Sequence, residues 1–273
     1  MNILIFGFGY VAKHWVSSFS GANEVHATSR HKTKFTDIAP LATPHLFGDD
    51  LRQEINQSEA IIITAPPSEK GDDTFLTYGE LIQRAPKLKW LAYLSTTGVY
   101  GDHAGAWVDE STPAAPISPN SKRRAMTESQ WLSLFHQHRI PVQIFRIAGI
   151  YGPGRSMLDR LSSGKARRID KPGHVMNRIH VDDICQALTA SMEQTIPGEI
   201  YNLADDLPAS TDEVISYICE KHTIAPPPLE AYDPQTMSPM LQQFYAENKR
   251  VKNDKIKQQL GVKLKYPSYK NYY

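Results

Sequence analysis

Short apolar runs recur through the first half of the chain, separated by amphipathic or polar stretches. Ile3–Phe6, Glu24–Thr28, Ala60–Thr64, Leu91–Ser95 and Val142–Ile147 are too short for helices, and all but the second are rich in Ile, Leu or Val. They read as strands, and the near-continuous apolar ones as strands buried on both faces. Between them, Val11–Ser18, Thr74–Arg84 and Ser121–His136 carry their apolar residues at helical spacing. This alternation predicts an α/β fold with a doubly wound parallel sheet. Ser68–Thr74 and Gly101–Asn120 are polar and rich in Gly, Pro and Asp, so they read as loops. The second is long enough to border a binding site.

The alternation weakens after Gly152–Gly154. Ser156–Gly164 reads as helical, Lys165–Arg168 as a basic turn, and His180–Asp183 as a helix start with Asp182 or Asp183 as its cap. Ile200–Leu203 is expected to return a strand to the main sheet. Thr211–His222 and Lys249–Leu260 read as helices, and Pro226–Pro228 as an extended linker. Residues 1–155 are therefore expected to form the sheet domain, with 175–205 returning to it. Residues 156–174 and 206–273 are expected to form a smaller, mostly irregular and helical lobe.

Composition narrows the class. A chain of 273 residues buries a full core, and 41% hydrophobic with 22% charged residues is ordinary for a soluble protein. The net charge of +1 gives no electrostatic case for nucleic acid or membrane as a partner. No apolar run approaches the roughly 20 residues of a membrane span. The chain opens on a strand rather than a signal sequence, and a cytoplasmic location is expected. Cys185 and Cys219 stand alone, without CxxC spacing, so neither a disulfide framework nor a metal site is expected. The lysines from Lys249 to Lys265 read as a solvated helix face.

The chemistry begins at the N-terminus. The first strand runs into Gly7-x-Gly9-x-x-Ala12, and a helical stretch follows. In that context the pattern is a dinucleotide-binding fingerprint. Gly7 allows the turn, Gly9 the approach of a pyrophosphate, and Ala12 close helix packing. The helix N-terminus favours the phosphates. After the second strand the chain reads Ser29-Arg30-His31-Lys32, with no carboxylate to accept from a ribose 2′-hydroxyl. Ser29 and Arg30 suit a 2′-phosphate instead, which favours NADP over NAD.

These landmarks fall in a recognisable order. With Gly48-Asp49, Ser95–Gly101, Arg146–Gly154, His180–Asp183 and Tyr201–Leu203, the chain resembles the extended short-chain dehydrogenases/reductases, the group of NAD-dependent epimerases and dehydratases. The resemblance implies a Rossmann-type domain, a C-terminal lobe closing over a small-molecule substrate, and a homodimer. It implies cofactor contacts from Gly7, Gly9, Tyr10, Val11, Ala12, Ser29, Arg30, Asp49 and Ala65, with Asp49 near the adenine. Thr96 matches the family's catalytic Ser/Thr, which holds the reacting oxygen.

The same resemblance exposes a departure. The family's Tyr-x-x-x-Lys pair uses the lysine charge to lower the tyrosine pKa. Registered on Glu128, those two positions are Asn120 and Arg124. Asn120 has no titratable proton, and Arg124 does not deprotonate. Other Tyr-x-x-x-Lys spacings, at Tyr217/Lys221, Tyr245/Lys249 and Tyr266/Lys270, do not follow the Thr96 strand and read as coincidences. Thr97 and Gly98 stand where sugar-nucleotide 4,6-dehydratases carry Asp-Glu, which disfavours that reaction. Asp102, His103, Asp109 and Glu110 are the candidate replacement acids and bases, with His103 the best matched by its ordinary pKa. Arg124, Arg155, Arg167, Arg168 and Arg178 are candidates to grip an anionic substrate. Two functions stay open: an NADP-linked oxidoreductase or epimerase, with Thr96, Asn120 and Arg124 at its centre, and a non-catalytic NADP(H)-binding regulator.

Overall fold

The computed structural model describes residues 1–19 and 23–273. The chain begins with β1 (Asn2–Phe6), α1 (Tyr10–Ser17), β2 (Glu24–Ser29), α2 (Phe35–Ile38), β3 (Thr43–Leu46), α3 (Arg52–Gln57), β4 (Ala60–Ile63), α4 (Asp73–Gln83) and β5 (Trp90–Thr96). It continues through β6 (Trp107–Val108), α5 (Pro119–His138), β7 (Val142–Ile147), β8 (Gly149–Tyr151), α6 (Met157–Ser162), β9 (Arg168–Asp170), β10 (Arg178–His180) and α7 (Val181–Glu193). It ends with β11 (Ile200–Leu203), α8 (Thr211–His222), β12 (Leu229–Ala231), α9 (Pro239–Ala246), β13 (Arg250–Val251) and α10 (Asp254–Leu260).

Seven strands form one parallel sheet in the order β11-β7-β5-β4-β1-β2-β3. The chain starts in the middle, winds out to β3, then crosses back so that β4 lies on the other side of β1. That reversal between β1 and β4 is the topological switch point, where open α/β sheets present a crevice at their carboxyl ends. Ile3–Phe6 and Ala60–Ile63 are wholly buried, which explains why both runs are apolar at every position. The expected strands and the returning strand β11 are all present. β3 was not legible, because Thr43–Leu46 is an edge strand with no fully buried residue and a proline.

Each sheet face has its own core. On one, Leu4, Phe6, Ile61, Ile63, Leu91 and Tyr93 pack with Tyr78 and Ile82 of α4 and Trp131 of α5. Elsewhere in the same unit the Trp15, Trp90, Phe145 and Tyr201 rings follow one another at centroid distances of 5.7, 6.4 and 5.7 Å. The buried indoles are satisfied: Trp15 donates to Thr189 Oγ1, and Trp90 to Gln143 Oε1 and Ser191 Oγ. One buried ion pair fixes α5 against the sheet. Arg146 of β7 donates Nε to both Glu128 carboxylate oxygens at 3.2 Å, and Nη2 to Oε2 at 2.7 Å. The two residues are 5% and 3% exposed, so each charge relies on the other in place of water.

By its contacts the chain divides into two compact units. The first comprises residues 1–96, 122–146 and 185–201, and the second residues 97–121, 147–184 and 202–273. The division thus enters the chain after Thr96, whereas the sequence expectation placed it at 155. The second unit is not simply helical and irregular. It holds three parallel two-stranded pairs, β6–β13, β8–β10 and β9–β12, too short to leave a periodic signal.

Two local expectations are corrected there. Neither Asp182 nor Asp183 caps α7. The His180 imidazole Nδ1 accepts the Asp182 N–H at 3.1 Å, while the Asp183 carboxylate accepts from Lys265 N and Tyr266 N. Lys249 is not on a solvated helix face. It is buried with Nζ on Gly101 O and the Glu247 carboxylate, and the helix starts only at Asp254, after strand β13. Cys185 and Cys219 form no disulfide and are buried. Among the described residues no helix is long and apolar enough to cross a membrane.

Asp205 of the second unit is buried, with Oδ1 accepting the Leu207 N–H at 3.2 Å and Oδ2 making no hydrogen bond. Burial pushes its carboxyl up to about 7. The folded value lies above the unfolded one of about 3.9, so its contribution to stability is full at low pH and lost as pH rises towards and through 7. Two predictions follow from these buried groups. Replacing Glu128 by Ala strands the Arg146 charge and should lower unfolding stability by about 3–5 kcal/mol, as read by urea denaturation. Asp205→Asn should gain stability relative to the parent protein at pH 8 and little at pH 4. A difference that did not grow with pH would contradict the assigned titration.

Candidate functional site

The first turn after β1 is built from backbone demands. Gly7 has φ of +87°, the left-handed region, and a Cβ there would lie 3.0 Å from Ala65 N and 3.1 Å from Thr64 Oγ1. Its N–H donates to Thr28 Oγ1 at 3.1 Å, and its carbonyl accepts from Thr64 Oγ1 at 2.7 Å. The N–H groups of Thr64 and Ala65 both reach Phe6 O. The turn is therefore clasped by β2 on one side and by the end of β4 on the other. Gly9 differs. Its φ of −89° suits any residue, and no protein atom lies within 4 Å of a Cβ built on it. Packing does not explain a glycine there; an open approach to the helix end does. Gly9 is the N-cap of α1 and no side chain caps the helix, so the first-turn amides point out of its positive end. Val11 and Ala12 are buried and seat the helix on the sheet. This arrangement fits a dinucleotide pyrophosphate.

Beside the turn lies a cleft lined by Gly7, Thr28, Ser29, Arg30, Phe47, Ala65, Pro66, Asp72, Asp73 and Thr74. Of the residues named from sequence, it brings together Gly7, Ser29, Arg30 and Ala65. Gly9, Tyr10, Val11 and Ala12 belong to the adjoining turn and helix end. Asp49 is exposed outside the cleft lining, with its carboxylate accepting the Leu46 N–H at 3.0 Å. Ser29 Oγ holds a local turn with His31, and the Arg30 guanidinium pairs with Asp73 at 2.7 Å. Asp73 was missed in the sequence, because it comes 43 residues after Arg30 at the start of α4. The pair is half-exposed and so weakly held. Asp72, the cap of α4, accepts from Phe75 N and the Trp131 indole, and burial pushes its carboxyl up.

Thr96 ends β5, partly exposed. Arg124 of α5 donates Nη1 to Leu94 O and, at 3.2 Å, to the Tyr93 hydroxyl on the same strand. Its charge thus braces the strand leading to Thr96. Asn120 lies exposed, one helical turn earlier on α5. Tyr93 with Arg124 is a phenol–cation pair, yet burial pushes that phenol up to about 12, out of the range for neutral proton exchange.

The loop acids and bases are committed elsewhere. The His103 ring meets Tyr100 O, Asp102 accepts from Ala104 N and Asn248 N, Asp109 from Ser111, and Glu110 from Asn202 N. Those bonds hold the Asp102 and Asp109 carboxyls low, and burial pushes Glu110 up. Most arginines proposed for anion binding also have structural partners. Arg167 pairs with Glu230, Arg168 with Asp212, and the half-buried Arg178 donates to Met176 O and Ala209 O. The Tyr-x-x-x-Lys coincidences are likewise occupied: Tyr217 OH donates to Lys270 O, and Tyr245 is buried.

Comparison with known proteins agrees with this geometry. The family described as NAD dependent epimerase/dehydratase matches residues 3–204. The protein YeeZ of Escherichia coli K12 is 34% identical over 163 residues, 57% of this chain and 56% of that protein. The human dTDP-D-glucose 4,6-dehydratase is 29% identical over 126 residues, 43% of this chain but 36% of that enzyme. The chain thus spans little over half, or about a third, of these curated relatives. A solved structure of a functionally unknown conserved protein from Silicibacter pomeroyi superposes with a TM-score of 0.92 at 41% identity, covering 98% of this chain and 95% of that one. The Bacillus anthracis dTDP-glucose 4,6-dehydratase in complex with NAD shares the fold, with a TM-score of 0.82 at 22% identity over 99% and 93% of the two chains.

The two glycines should respond differently to a methyl group. Gly7→Ala strains the backbone and meets Ala65, so it should cost about 1–3 kcal/mol of stability. Gly9→Ala should cost no more than about 1 kcal/mol yet weaken dinucleotide binding at least tenfold. Denaturation and fluorescence titration of the same samples separate the two effects.

Proposed function

The chain belongs to the NAD dependent epimerase/dehydratase family, and from that premise we propose that it is an NADP(H)-linked oxidoreductase or epimerase. Its substrate would be a small polar molecule, carrying a hydroxyl or carbonyl and of the nucleotide-linked class. The observation carrying this reading is the clasped Gly7 turn, with the uncapped end of α1 and the Ser29-Arg30 pair at one crevice. When bound, the nicotinamide supplies hydride transfer.

The remaining work falls to the chain. The first-turn amides of Tyr10, Val11 and Ala12 hold the pyrophosphate. Ser29 and Arg30 hold the 2′-phosphate, with Arg30 exchanging Asp73 for the phosphate. Phe47 and Ala65 line the apolar part of the cleft. Thr96 hydrogen-bonds the reacting oxygen, and Asn120 donates a second hydrogen bond to the substrate. Arg124 keeps β5 in place and takes no part in proton transfer. The proton travels through solvent, at a cost of about 10²–10⁴ in rate relative to a matched side-chain acid. Thr97 and Gly98, in the turn after β5, offer no carboxylates for a 4,6-dehydration.

One observation favours a second reading, a non-catalytic NADP(H) sensor: Arg124 serves the strand, and Asn120 cannot titrate. Titration with NADPH and NADH, followed by a panel of carbonyl compounds and nucleotide sugars, separates the two. Under the enzymatic reading, Thr96→Ala lowers turnover about 10²-fold and leaves dinucleotide affinity intact. Arg30→Ala weakens NADPH about tenfold, near 1.4 kcal/mol, with NADH unchanged, and Asp73→Asn tightens NADPH. Tight binding without turnover on any substrate would support the sensor. Equal affinities for the two cofactors, insensitive to Arg30, would remove the NADP assignment.

A further inference from the structure

The edge of the sheet carries a cluster that the nucleotide site does not use. His26 of β2, His45 of β3 and Glu54 of α3 each present one ligand atom, all within 4.8 Å of one another. His26 Nδ1 faces His45 Nε2 at 2.9 Å. Two ring nitrogens at that distance need a cation or a proton between them, since two lone pairs repel. The Glu54 Oε2 oxygen is buried and makes no hydrogen bond with the protein. A buried carboxylate oxygen without a donor is costly, and a cation at this point would satisfy it.

The outer contacts suit a metal better than a shared proton. The other nitrogen of His26, Nε2, lies 3.4 Å from the Glu24 carboxylate. An N–H there donates to Glu24 and leaves Nδ1 with its lone pair aimed at the cluster. A histidine ligand oriented by an outer carboxylate is the usual companion of a bound metal. Zinc binds His nitrogen at about 2.0–2.1 Å and carboxylate oxygen at about 2.0–2.2 Å, in tetrahedral geometry. Ligand atoms are then about 3.3–3.5 Å apart, between the 2.9 Å of the histidine pair and the 4.8 Å span of the cluster.

We propose that His26, His45 and Glu54 bind one divalent transition-metal ion of the zinc class, with water as the fourth ligand. The set of two imidazoles and one carboxylate excludes calcium and magnesium, which prefer oxygen. The ion ties the edge strand β3 to β2 and to α3. Sequence reading missed it because only strand pairing and α3 bring the three residues together.

The test is calorimetric titration of the chelator-treated full chain with Zn²⁺ alone. Thermal denaturation is run in parallel, with NADPH binding as a check of the fold. The expected result is saturable 1:1 binding and a melting temperature that rises with Zn²⁺. His45→Ala should weaken the affinity at least 100-fold, and Glu54→Gln at least tenfold. Glu24→Ala alters only an exposed side chain and should weaken it about tenfold, within the range for outer-shell partners. Absence of saturable binding, or equal affinity in His45→Ala and Glu54→Gln, would overturn the site; in the second case other histidines, such as His136 and His138, hold the metal.

Discussion

The buried pair of Arg146 and Glu128 is the constraint on which the placement of the first unit's residues rests. A guanidinium and a carboxylate, both withdrawn from water, tolerate little displacement, because misalignment leaves a charge in a low-dielectric interior. Glu128 lies one turn beyond Arg124 on α5, so fixing Glu128 fixes which face of the helix meets β5. Arg124 is thereby delivered to Leu94 O and the Tyr93 hydroxyl. Two charged side chains from one helix are used to hold strands.

The arrangement clarifies how a family site is retained in part. Its dinucleotide-facing portion is set by backbone geometry: a left-handed turn, an uncapped helix end and the crossover between β1 and β4. Substitutions of side chains elsewhere do not disturb these. A proton-transfer portion depends instead on the identity and pKa of particular side chains. Recognition of a cofactor and its use are separable physical requirements, and only the first is met by the fold alone.

Much of this was legible in the sequence, for local reasons. Strands buried on both faces advertise themselves as Ile3–Phe6 and Ala60–Ile63 do, and Gly7 is dictated by a conformation that other residues avoid. What escaped depends on partners distant in the chain. β3 is an edge strand with a mixed pattern, and Trp107–Val108 becomes a strand only because Arg250–Val251 lies alongside. Lys249 reads as solvent-facing until Gly101 and Glu247 are seen around its ammonium group. Asp73 and Arg30 likewise meet only through the winding of the sheet.

The clasp around Gly7 also has a kinetic meaning. Its N–H and carbonyl are already engaged by Thr28 and Thr64, so the turn has its working shape before any anion arrives. The turn itself needs no rearrangement during the encounter. Among related ligands of such a preformed turn, affinity differs mainly through residence time.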